Sequence, residues 1–225
     1  MKTKFLIIIA ISLLSNSSYT QNNKCARVTN FGETEICLPK IEGFQECYLE
    51  PAVNSLANRT EVSSNMVLGY YLDDNTYKKK DSLEQIEFDN YFKIYGTKQI
   101  KDVKADSEIL KQIEIMLSQN FISKNWDEMK KEIDDNGLNI EIDKPTIINS
   151  YNLGDESFTY ILLAKYSFEG TKPYVMALSM NGLLLKDKLV WMAYYLNYEG
   201  EETIPELEKK SNLLISQILN ANKKY

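Results

Sequence analysis

Between Leu189 and Leu196 the chain runs Leu-Val-Trp-Met-Ala-Tyr-Tyr-Leu, so both alternating sets of side chains are apolar. Successive side chains of a strand point to opposite faces. An antiparallel strand with one wet face alternates apolar with polar residues, and this one does not. Such a segment belongs in the middle of a sheet, with cover on both sides.

The flanking segments supply its partners. Residues 158–167 and 174–185 have strand composition, with Glu169-Gly170 as the turn between them. The next turn falls either at Asn181-Gly182 or at Lys186-Asp187-Lys188. Asn-Gly is the strongest short hairpin signal, but a turn there would drive three consecutive charges through the middle of the apolar strand. We therefore place the turn at 186–188 and take Asn181-Gly182 as a bulge or a close backbone approach. Beyond the strand the period becomes helical. Ile204, Leu207, Leu214, Ile215 and Ile218 form one stripe, Thr203-x-x-Glu206 is a capping-box pattern and Pro205 lies in the first turn, which predicts a helix over 203–222.

Upstream elements are shorter. Residues 22–30 are polar and extended, and residues 34–39 form a short strand stopped by Pro39. Residues 53–57 make one helical turn. Residues 65–72 and 89–96 are strands, the second alternating Tyr91, Lys93 and Tyr95 with Phe92 and Ile94. Ile109, Ile113, Met116 and Leu117 predict a helix over 107–120 capped by Asp106 or Ser107. A second begins at Asn125, where Asn125-x-x-Glu128 resembles a capping box, and ends at Gly137. Lys144-Pro145 makes 140–148 an edge element, and 151–157 is a turn.

Lys2 and Lys4 precede an apolar run over residues 5–14, and polar residues 15–20 follow. That is the pattern of a secretory signal peptide; a membrane span needs about twenty apolar residues. The organisation expected is a signal peptide (1–20), an extended segment (21–33) and one α+β domain (34–222), exported to the periplasm or the medium with no integral membrane segment in the mature chain. Residues 1–20 hold two lysines and no acid, so the remainder carries 24 basic and 32 acidic residues and a net charge of −8. An acidic surface repels phosphate backbones, which argues against a nucleic-acid partner. The lysine run 78–80 is closed by Asp81 and fits a solvated loop.

Three cysteines in an exported chain allow at most one internal disulfide, with three pairings. Cys37 and Cys47 bracket the turn-like residues 39–43, so Cys37–Cys47 is the candidate bridge, contributing roughly 3 kcal/mol in the chain-entropy model. The competing reading makes Cys37, between Ile36 and Leu38, a small buried hydrophobe.

The chain contains no histidine. Ser-His-Asp and Cys-His catalysis, His-ligated zinc and imidazole general-base chemistry are thereby excluded. No C-x-x-C pair and no glycine-rich phosphate loop occur, and no cofactor is implied. Acidic pairs Asp73-Asp74 and Glu201-Glu202 lie at turns, where solvated charge is their ordinary role. Glu132, Asp134, Asn136, Gly137 and Asp143 approximate a calcium loop, but the first and last ligand types are wrong and Pro145 blocks the exiting helix; Gly137 as a helix cap explains them better. Tyr70, Tyr91, Tyr95, Tyr160, Tyr166, Tyr174, Tyr194 and Tyr195 all fall on strands, where sheet packing outweighs a ligand site.

The order of elements, from the short strand ending in Ile36-Cys37-Leu38-Pro39 through a strand pair, amphipathic helices and three long antiparallel strands to the final helix, resembles the PsbP-type fold. The chain also resembles small exported proteins of Gram-negative bacteria. The resemblance implies an α+β, PsbP-like α/β/α sandwich, an antiparallel sheet covered by helices on both faces. It also implies a non-enzymatic binding or assembly module for a protein or small-molecule partner in the envelope. The alternative is a carboxylate-dependent hydrolase acting on an envelope or extracellular substrate in a tyrosine-lined cleft. The surface expected to carry function lies on residues 73–82 and 137–154.

Overall fold

A computed structural model describes residues 24–80, 89–118, 121–135, 140–168 and 172–223. The signal-peptide segment, the Glu169-Gly170 turn and the Gly137 cap fall outside these residues. The chain begins with a hairpin of β1 (Cys25–Phe31) and β2 (Thr34–Pro39), which turns at Gly32 with φ of 61°. Then come β3 (Phe44–Glu46), α1 (Pro51–Arg59), β4 (Asn65–Asp73), the short α2 (Asp74–Tyr77) and β5 (Asn90–Thr97). Two helices follow, α3 (Ser107–Ser118) and α4 (Phe121–Asp135). The second half holds β6 (Ile140–Ile142), β7 (Thr146–Asn152), β8 (Ser157–Phe168), β9 (Tyr174–Leu185), β10 (Lys188–Asn197) and α5 (Thr203–Asn222).

The fold is α+β, with one large antiparallel sheet. Its order is β3-β4-β5-β10-β9-β8-β6, with β7 also paired to β8. The doubly apolar segment, β10, lies in the middle as its pattern requires. Alternate residues feed different clusters: Val190, Met192 and Tyr194 join Phe92, Ile94, Ile161, and Leu207, Leu214, Ile215 and Ile218 of α5. Leu189 and Trp191 join Phe158, Tyr160, Leu162, and Leu110, Leu117 and Ile122 of α3 and α4. A third cluster sets Val53 and Ala57 of α1 against Cys47, Val67, Tyr70 and Leu72. No helix of the described residues is long and apolar enough to cross a membrane.

The β9–β10 turn sits at Lys186 and Asp187, both left-handed with φ of 51° and 65°. Two such residues match the right-handed strand twist. Pairing runs without a register shift past Asn181 and Gly182, so there is no bulge. The close approach is real: a Cβ on Gly182 would collide with the ring of Phe158.

Three expectations require correction. The disulfide joins Cys25 to Cys37, across the β1–β2 hairpin with Cα atoms 5.4 Å apart, and Cys47 is a free buried thiol. The polar segment containing Cys25 pairs with β2 and brings its sulfur to Cys37, whereas the Cys47 Sγ–H faces the Tyr70 carbonyl at 3.3 Å. The helix assigned to Asn125 starts at Phe121, where burying Ile122 against α3 outweighs the local capping pattern. Thr203 does not cap α5 through a capping box; no side chain caps that end, and Thr203 Oγ accepts from the Glu199 N–H instead.

Candidate functional site

The sheet face opposite α5 carries a row of tyrosines. Tyr91 of β5 lies directly across from Tyr195 of β10, their rings stacked 4.5 Å apart and 4° from parallel. Tyr70 of β4 stacks on Tyr91 at 5.6 Å. Tyr166 and Tyr174, opposite each other on β8 and β9, stack likewise at 5.6 Å. Rings stacked this way spend much of their π-faces on one another. What they offer a partner is ring edge and hydroxyl.

Lys93 stands among them. Its Nζ donates to Glu61 Oε2 at 2.7 Å and lies over the Tyr95 ring at 5.3 Å and the Tyr195 ring at 6.0 Å. Both partners are largely buried, with side chains 15% and 8% exposed. Burial alone works to lower the Lys93 pKa, but the adjacent Glu61 carboxylate and Tyr95 outweigh it, and the net shift is upward. Glu61 is fixed in turn by Asn65 Nδ2, which donates to Oε1 at 3.0 Å. Burial raises the pKa of Tyr70, Tyr91, Tyr95, Tyr166 and Tyr195. The phenols are therefore held neutral, as donors.

Tyrosine hydroxyls on the two sides of the sheet differ in partners. Tyr71 donates to the Pro39 carbonyl at 3.0 Å and Tyr194 to Asn90 Oδ1 at 2.9 Å, both on the α5 side. Among the described residues, the hydroxyls of the half-buried Tyr95, Tyr166 and Tyr195 make no hydrogen bond. They stand on β5, β8 and β10.

Charged and nucleophilic groups on both sides of the sheet are tied down. On the α5 side Glu46, opposite Tyr71, binds Arg27 through two hydrogen bonds of 2.7 and 3.0 Å, and the guanidinium also reaches the Leu68 carbonyl. Burial pushes the Cys47 thiol up to about 12. Lys93 is held as its ammonium ion. Thiolate and free-amine chemistry both need the opposite shift.

A separate cleft of about 350 Å³ lies between α3 and the β7–β8 turn, lined in part by Glu108, Lys111, Glu114, Asn152, Asp155 and Phe158. Glu114 Oε2 accepts from Asn152 Nδ2 at 3.1 Å, and the Glu114 carbonyl accepts from the Tyr160 hydroxyl. Among the described residues, no group of three or more His, Cys, Asp or Glu side chains is arranged to hold a metal.

The structure brings Tyr70, Tyr91, Tyr95, Tyr160, Tyr166, Tyr174 and Tyr195 onto one face, Tyr160 within the cluster under α3, and puts Tyr194 on the other. Asp73 caps α2 through the Asn75 and Thr76 N–H groups, and Asp74 accepts from Gln45. Of the calcium-like set, Asp134 pairs with Lys130 at 3.0 Å and Asp143 with Lys165 at 3.3 Å. Residues 140–152 form the sheet edge β6–β7; 81–88 and 136–139 lie outside the described residues. The Lys93–Glu61 pair was missed because 32 residues separate its members. A signal existed: Lys93 sits alone in an otherwise aromatic alternation, and a buried charge must be paired.

No family model matches the chain, and no curated protein matches it. A solved structure similar to it is that of the Saccharomyces cerevisiae Ran-binding protein Mog1p, at 11% identity and a TM-score of 0.34, covering 87% of this chain and 91% of that one. The functional reading rests on the residues themselves.

Proposed function

We propose that the chain is an exported, non-enzymatic binding or assembly module, built as a PsbP-like α/β/α sandwich, that takes an envelope partner on its tyrosine-bearing sheet face. The observation that carries the reading is the state of the groups at that face. Lys93, Glu61 and Cys47 are locked in inert forms, while among the described residues the neighbouring phenols of Tyr95, Tyr166 and Tyr195 make no hydrogen bond. Such a surface donates hydrogen bonds without offering a nucleophile or base. Packing of α5 into one cluster and of α1, α3 and α4 into the others supports the sandwich.

The test is recovery of a partner from an envelope fraction by the intact mature chain, beside Tyr166→Ala/Tyr195→Ala. The expected result is a partner held by the first and lost by the second, with unchanged circular dichroism. No partner, together with turnover of a glycan or ester panel, overturns the reading. It would favour the carboxylate hydrolase, for which the Glu108, Glu114 and Asp155 cleft is the place. Glu114→Gln would then abolish turnover. Export is checked separately: the expected mature N-terminus is near Gln21 in the envelope fraction, and a cytosolic chain retaining Met1 overturns it.

A further inference from the structure

The N-terminal hairpin is a two-stranded sheet of its own, and an isolated hairpin is marginally stable at best. It nevertheless supplies Phe31, Ile36 and Leu38, all fully buried, to the cluster beneath α5. Gly96 and Gly69 leave room for it: a Cβ on the first would collide with Phe31, and one on the second would crowd Leu38 at 3.1 Å. Cys37 is the junction. Its sulfur is bonded to Cys25, 12 residues away. Its backbone N–H donates to Asn222 Oδ1 and its carbonyl accepts from Asn222 Nδ2, both at 2.8 Å. Asn222 is 2% exposed and ends α5, so one residue ties the first strand to the last helical turn.

We propose that the Cys25–Cys37 bridge is a redox latch. Oxidised, it preforms the hairpin that covers the inner sheet face; reduced, it lets the hairpin and the last turn of α5 open together. The step is exchange with a dithiol reductant. The dithiol becomes a disulfide, giving up two electrons and two protons, while the Cys25–Cys37 S–S bond breaks and each sulfur becomes a thiol. Because both cysteines lie in the hairpin, the bond acts by restricting its unpaired states. A loop of this length favours the closed form about a hundredfold. Arg27 on Glu46 and Lys186 on the Glu35 carbonyl still hold the hairpin when the bond is broken. The reduced state is therefore an opening equilibrium within a folded protein. The latch concerns the face opposite the tyrosines and does not depend on the binding reading.

Hydrogen exchange by mass spectrometry on the full protein, oxidised and after dithiothreitol, tests the latch. Expected on reduction is an opening population raised about a hundredfold in β1, β2 and the last turn of α5, with β8, β9 and β10 unchanged. Asn222→Ala, left oxidised, should loosen only Cys37 and the end of α5. Cys25→Ser/Cys37→Ser should reproduce reduction, and reduced wild type replaces it if it does not fold. Unchanged exchange in the hairpin overturns the latch, as does equal loss of protection across β8 to β10. Alkylation of the freshly isolated protein should count one free thiol, Cys47; three would overturn the proposal as well.

Discussion

On the side of the sheet that meets α5, a buried polar network closes on Asn181 and leaves only Gln217 Oε1 of α5 without a partner among the described residues; on the side that carries Tyr91 and Lys93, the hydroxyls of Tyr95, Tyr166 and Tyr195 make no hydrogen bond among those residues. Asn181 is the centre of the first arrangement. Its Nδ2 donates to the Ser179 carbonyl and to the Met192 carbonyl at 3.1 and 3.0 Å, and its Oδ1 accepts from Thr159 at 2.8 Å and from Ser211 at 3.3 Å. Ser179 and Ser211 also bond each other. These four residues are wholly buried and come from β8, β9 and α5. A satisfied network of this kind fixes register, since a one-residue slip would strand every member. The tyrosine face uses its polar groups otherwise. The Lys93–Glu61 pair is closed, while the hydroxyls of Tyr95, Tyr166 and Tyr195 make no hydrogen bond among the described residues, the difference on which the proposed binding role rests.

The contrast is broken most severely by removing what seals the inner face. Phe31→Ala leaves a cavity above Gly96, where the surrounding sheet cannot collapse, and should cost about 3–5 kcal/mol in urea unfolding. A loss below about 1 kcal/mol would mean that the hairpin adds little to the core.

Glu61→Gln is next. It strands the Lys93 ammonium among tyrosines and should cost about 3 kcal/mol, whereas Glu61→Gln/Lys93→Met, which removes both charges, should recover most of that. Failure of the double variant to recover would show that the pair organises the face beyond its charge balance.

Much of this was legible because burial imprints period on sequence. The doubly apolar 189–196 run placed β10 at the centre, and the charges at 186–188 located a turn that Asn181-Gly182 would have misplaced. The Cys25–Cys37 bridge was not legible. Nothing local says that a polar segment around Cys25 will pair with 34–39, since its alternation becomes apolar only at Phe31. Capping patterns misled at Asn125 and Thr203 because tertiary burial and a loop N–H decided those ends. The tyrosines were legible as strand residues, but the sequence favoured packing for them and put the functional surface at 73–82 and 137–154; their gathering on one face depends on strand order and not on spacing.

A third effect, set by pH, is shared by the two faces, since burial also raises Tyr71 and Tyr194 on the α5 side. In the fold, burial raises Tyr70, Tyr91, Tyr95, Tyr166 and Tyr195 and pushes Cys47 up to about 12; Lys93 is raised on balance, Glu61 and Tyr95 exceeding the effect of burial. The unfolded chain loses these protons first, from about pH 8.5 for cysteine and about pH 10 for tyrosine and lysine. The folded state then binds more protons, so stability falls as pH rises. Below about pH 8 the contribution is complete. The urea midpoint should hold from pH 7 to 8 and drop steeply by pH 11, and Tyr91→Phe/Tyr195→Phe should flatten that drop. A profile unchanged by the double variant would assign the effect elsewhere.

The smallest effect tests the comparison most directly, because it removes one oxygen atom at a time. Tyr71→Phe deprives the buried Pro39 carbonyl of its donor and should cost about 1 kcal/mol. Tyr195→Phe and Tyr166→Phe remove hydroxyls that make no hydrogen bond among the described residues, so stability should stay within about 0.5 kcal/mol, while retention of the proposed partner should weaken. Equal costs at Tyr71 and Tyr195 would mean that the outer hydroxyls are held after all, leaving the tyrosine face a packing surface and no more. Unequal costs, with binding lost only on the outer side, would place the division between folding and recognition at the plane of the sheet.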